Sequence, residues 1–325
     1  MLARAAADFY WMGRYFERAE HTARLLRYQL ARLVDTPAGE LAVGWRVIYR
    51  ALGQSAPITP TVTDEAESFL LADAYTLAAS LVEETTNPDS IIRCWTTARD
   101  NAKQLRPWLP VRVWTCLNQG FFWLRDCDFP AAWATGPAGL AGEATDRLRL
   151  LAGVVEARMP RDDAWRFLEL GRFVERLQHQ AALLDAWDRI GQAPGDAPSL
   201  SWAGLLRVCA AHEFYCRTHS MVIRRGPALA FLARNPELPQ SLCFAVHRIE
   251  KLLAGIDPRG ARYPLAAPHR MVLRLSATVE TDPANQNDAE GDGGSFEALL
   301  KDSRALHGIT VSTYFDYPVE AGLPS

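Results

Sequence analysis

Apolar side chains recur at steps of three and four residues through almost the whole chain. This spacing places them on one face of an α-helix, and proline or glycine separates successive windows. The alternation of apolar and polar residues that is typical of β-strands is missing. The chain is therefore predicted to be an all-α helical bundle, with helices near residues 3–34, 40–53, 64–85, 88–106, 111–126, 143–158, 162–191, 200–225, 238–255, 268–279 and 296–311.

Two of these helices contain an internal repeat with an offset of 158 residues. Residues 9–26, FYWMGRYFERAEHTARLL, align without gaps to residues 167–184, FLELGRFVERLQHQAALL, and nine of the eighteen positions are identical. A weaker second pairing joins the segments NPDS at Asn87 and NPEL at Asn235. Self-similarity at a fixed offset indicates duplicated structural units. We expect two pseudo-twofold-related repeats of about five helices each, which share one core.

This expectation divides the chain into four parts. The first repeat takes residues 1–160, and the second takes residues 161–279. Residues 280–295 hold five acidic side chains and no basic one, which predicts an acidic disordered insertion. Residues 296–325 are predicted to form a C-terminal helix and tail that pack on the second repeat.

Each copy of the repeated helix has an apolar face, which predicts burial, and a charged face opposite to it. The charged faces carry the same four residue types at the same positions, here named the first quartet (Arg14, Glu17, Arg18, His21) and the second quartet (Arg172, Glu175, Arg176, His179). A glycine stands mid-helix in both copies, at Gly13 and Gly171. Because glycine there costs about 1 kcal/mol relative to alanine, close approach of another backbone or a ligand is expected.

Three interpretations of the charged faces remain open from the residues alone. A network of Glu–Arg ion pairs could tie the two repeats together, since removing one partner of a buried pair is strongly destabilising. The same groups could form an anion-binding or catalytic pocket, because two facing quartets with neutral histidines would have an excess of two positive charges. The third interpretation is an ordinary solvated surface.

Composition and charge narrow the classes of function. The 325 residues are 49% hydrophobic and 22% charged, which is typical of a globular protein and unlike a fibrous or disordered chain. A formal net charge of −3 argues against a nucleic-acid partner. Six cysteines without a CxxC pair indicate reduced thiols, and no apolar run predicts a signal peptide or membrane span. We expect a cytoplasmic protein without a membrane or nucleic-acid partner.

The segment YWMGRYFERAEHTARLL, its second copy LGRFVERLQHQAALL and the downstream TTARDNAKQLR…VWTCLN resemble the alpha-E domain family. This family is an all-helical bacterial domain named for its Glu-Arg motif, and the resemblance implies a tandem duplication. The motif falls on residues 17–18 and 175–176. The family's Ala-Arg-Glu-Asn stretch corresponds to residues 98–101, where Asp100 replaces the glutamate, and its Trp…Leu-Asn ending corresponds to residues 114–118.

The resemblance also implies partners and a function. The family is associated with circularly permuted ATP-grasp ligases, a transglutaminase-like protein and an N-terminal-nucleophile peptidase. The chain is therefore expected to be a component of a bacterial system that forms or modifies peptide or amide bonds. Its Glu-Arg faces would bind an anionic peptide or aminoacyl substrate, or dock the ligase. The alternative is a non-catalytic scaffold in which these residues form only salt bridges.

The hypothesis that the Glu-Arg faces bind a substrate gives each quartet residue a role. The glutamates and histidines are candidates for acid–base catalysis, because both residue types can move protons near neutral pH when their surroundings shift the pKa: Glu17, Glu175, His21 and His179. The arginines would hold a substrate carboxylate or phosphate, and the resemblance adds one asparagine: Arg14, Arg18, Arg172, Arg176 and Asn101. Whether both repeats act, and in which oligomeric state, is not determined by the sequence.

No motif predicts a metal or a cofactor. One face of the predicted helix 200–225 carries Cys209, His212, Cys216 and His219, but a single straight helix cannot surround one ion with four ligands. A Gly-rich phosphate loop, a GxSxG elbow and an HExxH motif are all missing. The chain is therefore not expected to bind ATP itself.

Overall fold

The computed structural model describes residues 1–54, 66–191, 199–262, 264–281 and 294–316. These residues form fourteen helices and no strand, which confirms the predicted all-α class. In chain order the helices are α1 Ala3–Leu30, α2 Ala38–Ala51, α3 Ala66–Val82, α4 Ile91–Gln104, α5 Val111–Arg125, α6 Phe129–Thr135, α7 Pro137–Arg158, α8 Asp163–Ile190, α9 Trp202–Val208, α10 His212–Thr218, α11 Arg225–Arg234, α12 Leu242–Ile256, α13 Ala267–Thr281 and α14 Gly294–Tyr314.

The two longest helices, α1 and α8, lie against each other at the centre and have 28 residues each. A Cβ atom at Gly13 would overlap the carbonyl oxygen of Leu168, and one at Gly171 would overlap the carbonyl oxygen of Tyr10. The expected approach of another backbone at Gly13 and Gly171 is confirmed. Apolar side chains from both halves of the chain form one continuous core around this contact.

The helices around α1 and α8 follow a similar order. Helix α1 packs on α4 and α7, and α5 joins α4 to α7. Helix α8 packs on α12 and α14, and α13 joins α12 to α14. The helix that follows each central helix in the chain reaches the other one, because α2 packs on α8 and α9 contacts α1. Both central helices are therefore enclosed on most sides.

Helices α4 and α12 begin with the same local structure. The hydroxyls of Ser90 and Ser241 accept the backbone N–H three residues later, at 3.2 and 3.0 Å. Each hydroxyl also donates to the carbonyl six residues earlier, at 2.6 and 2.5 Å. These matching N-caps fix the path of the chain from segment 87–90 into α4 and from segment 235–241 into α12.

The predicted helix boundaries are wrong in three places. Helices α6 and α7 occupy most of the loop predicted before residue 143, because Asp128 caps α6 and both helices have a proline in the first turn, where no amide hydrogen bond is needed. The predicted helix 200–225 is instead α9 and α10, since the chain turns at Ala210 with a φ of 50°. Helix α11 forms between the predicted helices 200–225 and 238–255, in a stretch for which no helix is predicted.

The C-terminal part of the chain is described only in part. Within the predicted acidic insertion 280–295, residues 280–281 end α13 and residues 294–295 begin α14, and the rest lies outside the described residues. Helix α14 packs on α8 and α13 and also contacts α1. Across the described ranges, no helix is both long and apolar enough to cross a bilayer.

Candidate functional site

The two quartets meet where α1 crosses α8. The Glu175 carboxylate accepts hydrogen bonds from Arg14 Nε and from Arg18 Nε, the latter at 2.7 Å. Reciprocally, the Glu17 carboxylate accepts from Arg176 Nε at 2.5 Å and Nη2 at 2.8 Å, and Arg172 Nε lies 3.6 Å away. Each glutamate is thus held by two arginines of the other helix. These six residues are called the Glu-Arg network below.

The Glu-Arg network is buried. The exposed fraction is 3% for Glu17, 1% for Glu175 and 5% for Arg14. The interpretation of the charged faces as an ordinary solvated surface is therefore wrong. It failed because an apolar face on one side of a long helix does not reveal that the opposite face is also covered, here by the second long helix.

Two further carboxylates balance the charge of the Glu-Arg network. Asp89, just before α4, lies 3.7 Å from Arg18 Nη1, and Glu169 on α8 accepts from Arg172 Nη1 at 2.6 Å. The four arginines therefore face four carboxylates, and the excess of two positive charges expected from the quartets alone is cancelled. The arginines of the network do not need a bound anion for neutrality.

Both network glutamates are ionised at neutral pH. Burial alone would raise the pKa of Glu175, but Arg14, Arg18 and His179 hold it well below the usual 4.5. Burial acts on Glu17 in the same way, and Arg176 and Arg172 lower its pKa. A carboxylate that stays ionised and accepts several hydrogen bonds from arginine is a weak proton acceptor and has no proton to donate.

The two quartet histidines face each other inside the protein, with ring centroids 4.5 Å apart. His21 Nδ1 lies 3.0 Å from Arg24 Nη2, and since a guanidinium only donates, the proton of neutral His21 is on Nε2. His179 Nε2 lies 2.9 Å from Glu175 Oε1 and donates to it. Burial, His179 and Arg24 lower the pKa of His21 well below 6.5, so His21 is neutral at pH 7.

The structure places Asn101 apart from this cluster. Asn101 lies on α4, and in the described part of the chain no hydrogen bond or ion pair joins it to the quartets. Its neighbour Arg99 instead donates to Asn118 Oδ1 at 2.6 Å and stacks 4.4 Å from the centroid of Phe121. The two stretches that carry the family resemblance at 98–101 and 114–118 thus meet each other through Arg99 and Asn118.

Two concave sites border the Glu-Arg network, one beside Glu17 and one beside Glu175. The first, here named the Glu20 cavity, has a volume of about 200 Å³ and lies between α1, α7, α8 and Gln240. The second, the Arg304 cleft, has about 320 Å³ and is lined by three arginines from three helices, Arg18, Arg50 and Arg304.

Sequence reasoning missed the residues outside the repeated helix. Asp89 precedes the capping Ser90, so its distance to Arg18 follows from how α4 docks on α1 and not from any local pattern. Arg50 ends α2, and Arg304 lies on α14, far from Arg18 in the chain. Only Glu20 and Glu169, one turn from quartet residues on the same helices, could have been suspected from helical spacing.

The predicted Cys–His face does not form on one helix. Cys209 follows the end of α9, whereas His212, Cys216 and His219 belong to α10 or its C-cap. Across the described ranges, no group of three or more His, Cys, Asp or Glu side chains is arranged to hold a metal ion.

Comparison with known proteins identifies related chains. Residues 1–315 match the alpha-E family, described as a predicted alpha-helical domain with a conserved ER motif. Uncharacterized proteins of Mycobacterium bovis and of two Mycobacterium tuberculosis strains are 26% identical to this chain over 305 residues, which is 89% of this chain and 34% of theirs. The chain thus spans about a third of the length of these curated relatives. No solved structure matches it significantly. Because the family match extends over nearly the whole chain, this protein belongs to the alpha-E family.

Proposed function

We propose that this chain is the substrate-binding component of a bacterial system that forms or modifies peptide or amide bonds, and that it works with a circularly permuted ATP-grasp ligase in the cytoplasm. The family resemblance supplies the ligase and, as a further implied partner, a transglutaminase-like protein. The length of the relatives supports a larger assembly, since the region similar to this chain is only a third of theirs. In those proteins the alpha-E region is covalently joined to more sequence.

The observation that carries the binding role is the Arg304 cleft. Arg18, Arg50 and Arg304 converge there from α1, α2 and α14 beside Glu175 and Asp89. Arg18 is already paired with both carboxylates, whereas Arg50 lies 3.6 Å from Asp185 and is half exposed. Within the described ranges Arg304 has no ion-pair partner and is exposed. The unpaired guanidinium of Arg304, with the half-exposed Arg50 beside it, suits a carboxylate or phosphate.

The Glu-Arg network contributes Arg18 and Glu175 to the wall of this cleft. Its charges are balanced and its carboxylates are held by arginines, so we assign it a structural role and place the ligand at Arg50 and Arg304. Glu17, Glu175, His21 and His179 then position the two central helices and do not transfer protons to a substrate. This differs from the role that the quartets suggest when they are considered without their neighbours.

The same geometry supports the second candidate, a scaffold without any substrate. Charge balance inside the network is what a purely structural tie requires. The two candidates differ in the Arg304 cleft alone, because a scaffold has no use for Arg50 and Arg304 as ligand-binding groups.

We also propose that the chain is a tandem duplication. The first repeat would comprise α1, α4, α5 and α7 with their connections, and the second α8, α12, α13 and α14. The reciprocal contacts of Gly13 and Gly171, the reciprocal Glu–Arg pairs and the matching caps at Ser90 and Ser241 support this arrangement. In this arrangement α14 takes the place of α7, so the second repeat extends to Tyr314 instead of ending at residue 279.

A binding experiment tests the function. Calorimetric titration with a triglutamate peptide is expected to give saturable binding, and the double variant Arg50→Gln/Arg304→Gln is expected to weaken it at least about tenfold. The matched control is Arg46→Gln, an exposed arginine one turn earlier on α2 that does not line the cleft. ATP turnover by the ligase, measured with the native chain and with each variant, then tests whether binding in the cleft is coupled to the ligase reaction. The scaffold is favoured if the native chain does not bind triglutamate, or if Arg46→Gln weakens binding as much as the double variant does.

A further inference from the structure

The outward face of helix α5 carries large apolar side chains that are open to solvent. Helix α5 buries Leu117 and Leu124 in the core, and the face opposite to them would ordinarily be polar. Instead, Val111 is 73% exposed and Phe122 is 42% exposed, and Trp108 in the turn before α5 is 47% exposed. Apolar side chains that are exposed together on one surface indicate an interaction site, whereas single ones do not.

Three arginines lie over the aromatic rings of this surface. Each guanidinium contacts one ring, with these distances to the ring centroid: Arg106 to Trp114 at 4.6 Å, Arg99 to Phe121 at 4.4 Å and Arg125 to Phe122 at 4.8 Å. Contact with a ring leaves a guanidinium able to donate hydrogen bonds to a carboxylate. These six residues, together with Trp108 and Val111, are called the α5 surface below.

The positive charge of the α5 surface is not balanced by its surroundings. Across the described ranges, neither Arg99 nor Arg106 has an ion-pair partner, and Arg99 donates only from Nε, to Asn118 Oδ1 at 2.6 Å. The two Nη atoms of Arg99 are not buried. The neighbouring carboxylates of Asp100 and Asp126 are already paired with other cations, at 2.7 Å in each case. The α5 surface therefore has an excess of two positive charges beside its apolar rings.

The α5 surface is present in one half of the chain alone. Helix α13 joins α12 to α14 as α5 joins α4 to α7, but it contains no Phe, Tyr or Trp. The stretches 98–101 and 114–118, which carry part of the family resemblance, supply Arg99 and Trp114 to the α5 surface and do not line the Arg304 cleft. A role in binding at the α5 surface is therefore expected once per chain, and it is independent of the anion binding proposed above.

We propose that the α5 surface binds an acidic amphipathic helix of a partner protein. The apolar face of that helix covers Trp108, Val111 and Phe122, and its carboxylates pair with Arg99 and Arg106. Aromatic and arginine side chains together are the residues that contribute most of the binding energy in protein interfaces. The pairing adds charge-assisted hydrogen bonds, which are about twice as strong as neutral ones.

The spacing along α5 specifies the partner further. Trp114 and Phe121, the rings beneath Arg106 and Arg99, are seven residues apart and so about 10 Å apart along the helix axis. Carboxylates at positions i and i+7 of a partner helix have the same separation. A helix that lies along α5 can therefore present one carboxylate to each arginine.

Two other occupants fit the charges less well. A second copy of the chain would bring the same arginines toward each other, because a twofold contact uses one patch on both subunits. Single-stranded nucleic acid can stack on aromatic rings, but it needs a positively charged groove that follows its backbone. Here Asp100 and Asp126 interrupt the positive charge, and the whole chain has a net charge of −3.

Fluorescence anisotropy of a labelled helical peptide, titrated with the full chain, tests the α5 surface. The peptide has about five helical turns, leucine along one face and glutamate at positions i and i+7 beside that face. The control peptide has lysine in place of each glutamate. We expect saturable binding of the glutamate peptide with one site per chain, and no binding of the lysine peptide.

Two substitutions at exposed positions locate the binding. Arg106→Gln and Phe122→Ser should each weaken binding of the glutamate peptide at least about tenfold, and neither side chain is part of the core. The matched controls are Arg259→Gln, at an exposed position after α12, and Leu273→Ser, at a position on α13 that is 45% exposed. Both controls should bind the peptide as the native chain does.

The proposal is overturned if the glutamate peptide gives no saturable binding, if the lysine peptide binds equally, or if Arg106→Gln and Phe122→Ser weaken binding no more than their controls. Loss of peptide binding in the Arg50→Gln/Arg304→Gln variant would place the peptide in the Arg304 cleft and also overturn it; retained binding there separates the two sites. Tighter binding of a labelled oligouridylate would assign the α5 surface to nucleic acid. A dimer in sedimentation that Phe122→Ser abolishes would assign it to a second copy, and either result contradicts the proposal.

Discussion

Arg176 on α8 donates two hydrogen bonds to the carboxylate of Glu17 on α1, from Nε at 2.5 Å and from Nη2 at 2.8 Å. The two residues are 159 positions apart in sequence, and a single hydrogen bond from Arg18 Nε to Glu175 repeats the pairing in reverse. Burying each pair removes two charged groups from water, and this desolvation cost offsets most of their attraction. The pairs therefore add little net stability compared with an apolar core. Their effect is specific: any slip of α1 along α8 leaves a charge buried without its partner.

The first prediction concerns the loss of one buried anion. Glu17→Gln removes the charge that Arg172 and Arg176 share, and we expect unfolding to become easier by about 3–5 kcal/mol, as for other broken buried pairs. Urea denaturation followed by circular dichroism measures the change. Glu143→Gln, which breaks an exposed pair with Arg147 within α7, is the matched control and should cost no more than about 0.5 kcal/mol.

A double substitution gives the internal check on this prediction. Arg176→Met in the Glu17→Gln background removes the stranded cation, so part of the lost stability should return. If Glu17→Gln costs no more than the exposed control, the network does not hold the helices together, and the structural role assigned to it is wrong.

The second prediction concerns the contact between the two central helices. Gly13→Ala places a methyl group on the carbonyl of Leu168, and backbone cannot move aside as a flexible side chain can. We expect a loss of about 3 kcal/mol, larger than the helix-propensity gain of about 1 kcal/mol. Gly153→Ala on α7, where nothing lies within 4 Å, is the matched control and should stabilise the protein by about 0.5–1 kcal/mol. Equal effects at the two positions would contradict the close approach.

The contact between α1 and α8 can be predicted from the sequence because the residues that form it lie within the two repeated segments. Gly13 and Gly171, the quartets and the helical spacing are all local, so the helix class and the meeting of two charged faces follow from them. The partners that neutralise the charges do not follow. Asp89 reaches Arg18 only through the docking of α4 on α1, and no periodic pattern encodes docking between distant helices.

The missed boundaries have a different physical reason. The break between α9 and α10 occurs at Ala210, an alanine in the left-handed region, where a helical pattern continues without proline or glycine. Tertiary packing imposes that turn against local preference. For α6 and α7 the sequence contains helix-start residues at Asp128 and Pro137, but the glycine and proline around them are equally typical of a loop.

The third prediction compares the caps of α4 and α12. Ser90→Ala and Ser241→Ala each remove one acceptor for a helix amide and one donor to a partly buried loop carbonyl, so each should cost about 1–2 kcal/mol. Thermal unfolding of the two variants measures this. Ser312→Ala, at an exposed position inside α14, is the control and should stay within about 0.5 kcal/mol. Markedly unequal costs at residues 90 and 241 would count against the proposed equivalence of the two repeats.

The last prediction is an acid sensitivity with two stages. The folded-state pKa of His21 is lowered by burial, by His179 and by Arg24, so below pH 6.5 the unfolded chain binds a proton there that the folded chain does not. Stability should therefore fall as the pH drops, by up to about 1.4 kcal/mol per unit for this histidine. Burial also lowers the pKa of His307, to about 4, which adds in the same direction. Below pH 4.5 the depressed pKa values of Glu17 and Glu175 add the second stage, since their contribution is lost as the folded carboxylates protonate.

Urea midpoints measured between about pH 7 and about pH 5 isolate the first stage. His21→Gln cannot take up a proton but can still accept from Arg24, so this variant should flatten the dependence of stability on pH in that range. An unchanged slope in this variant would mean that the unfolded and folded chains titrate alike at residue 21, contrary to its burial beneath α8.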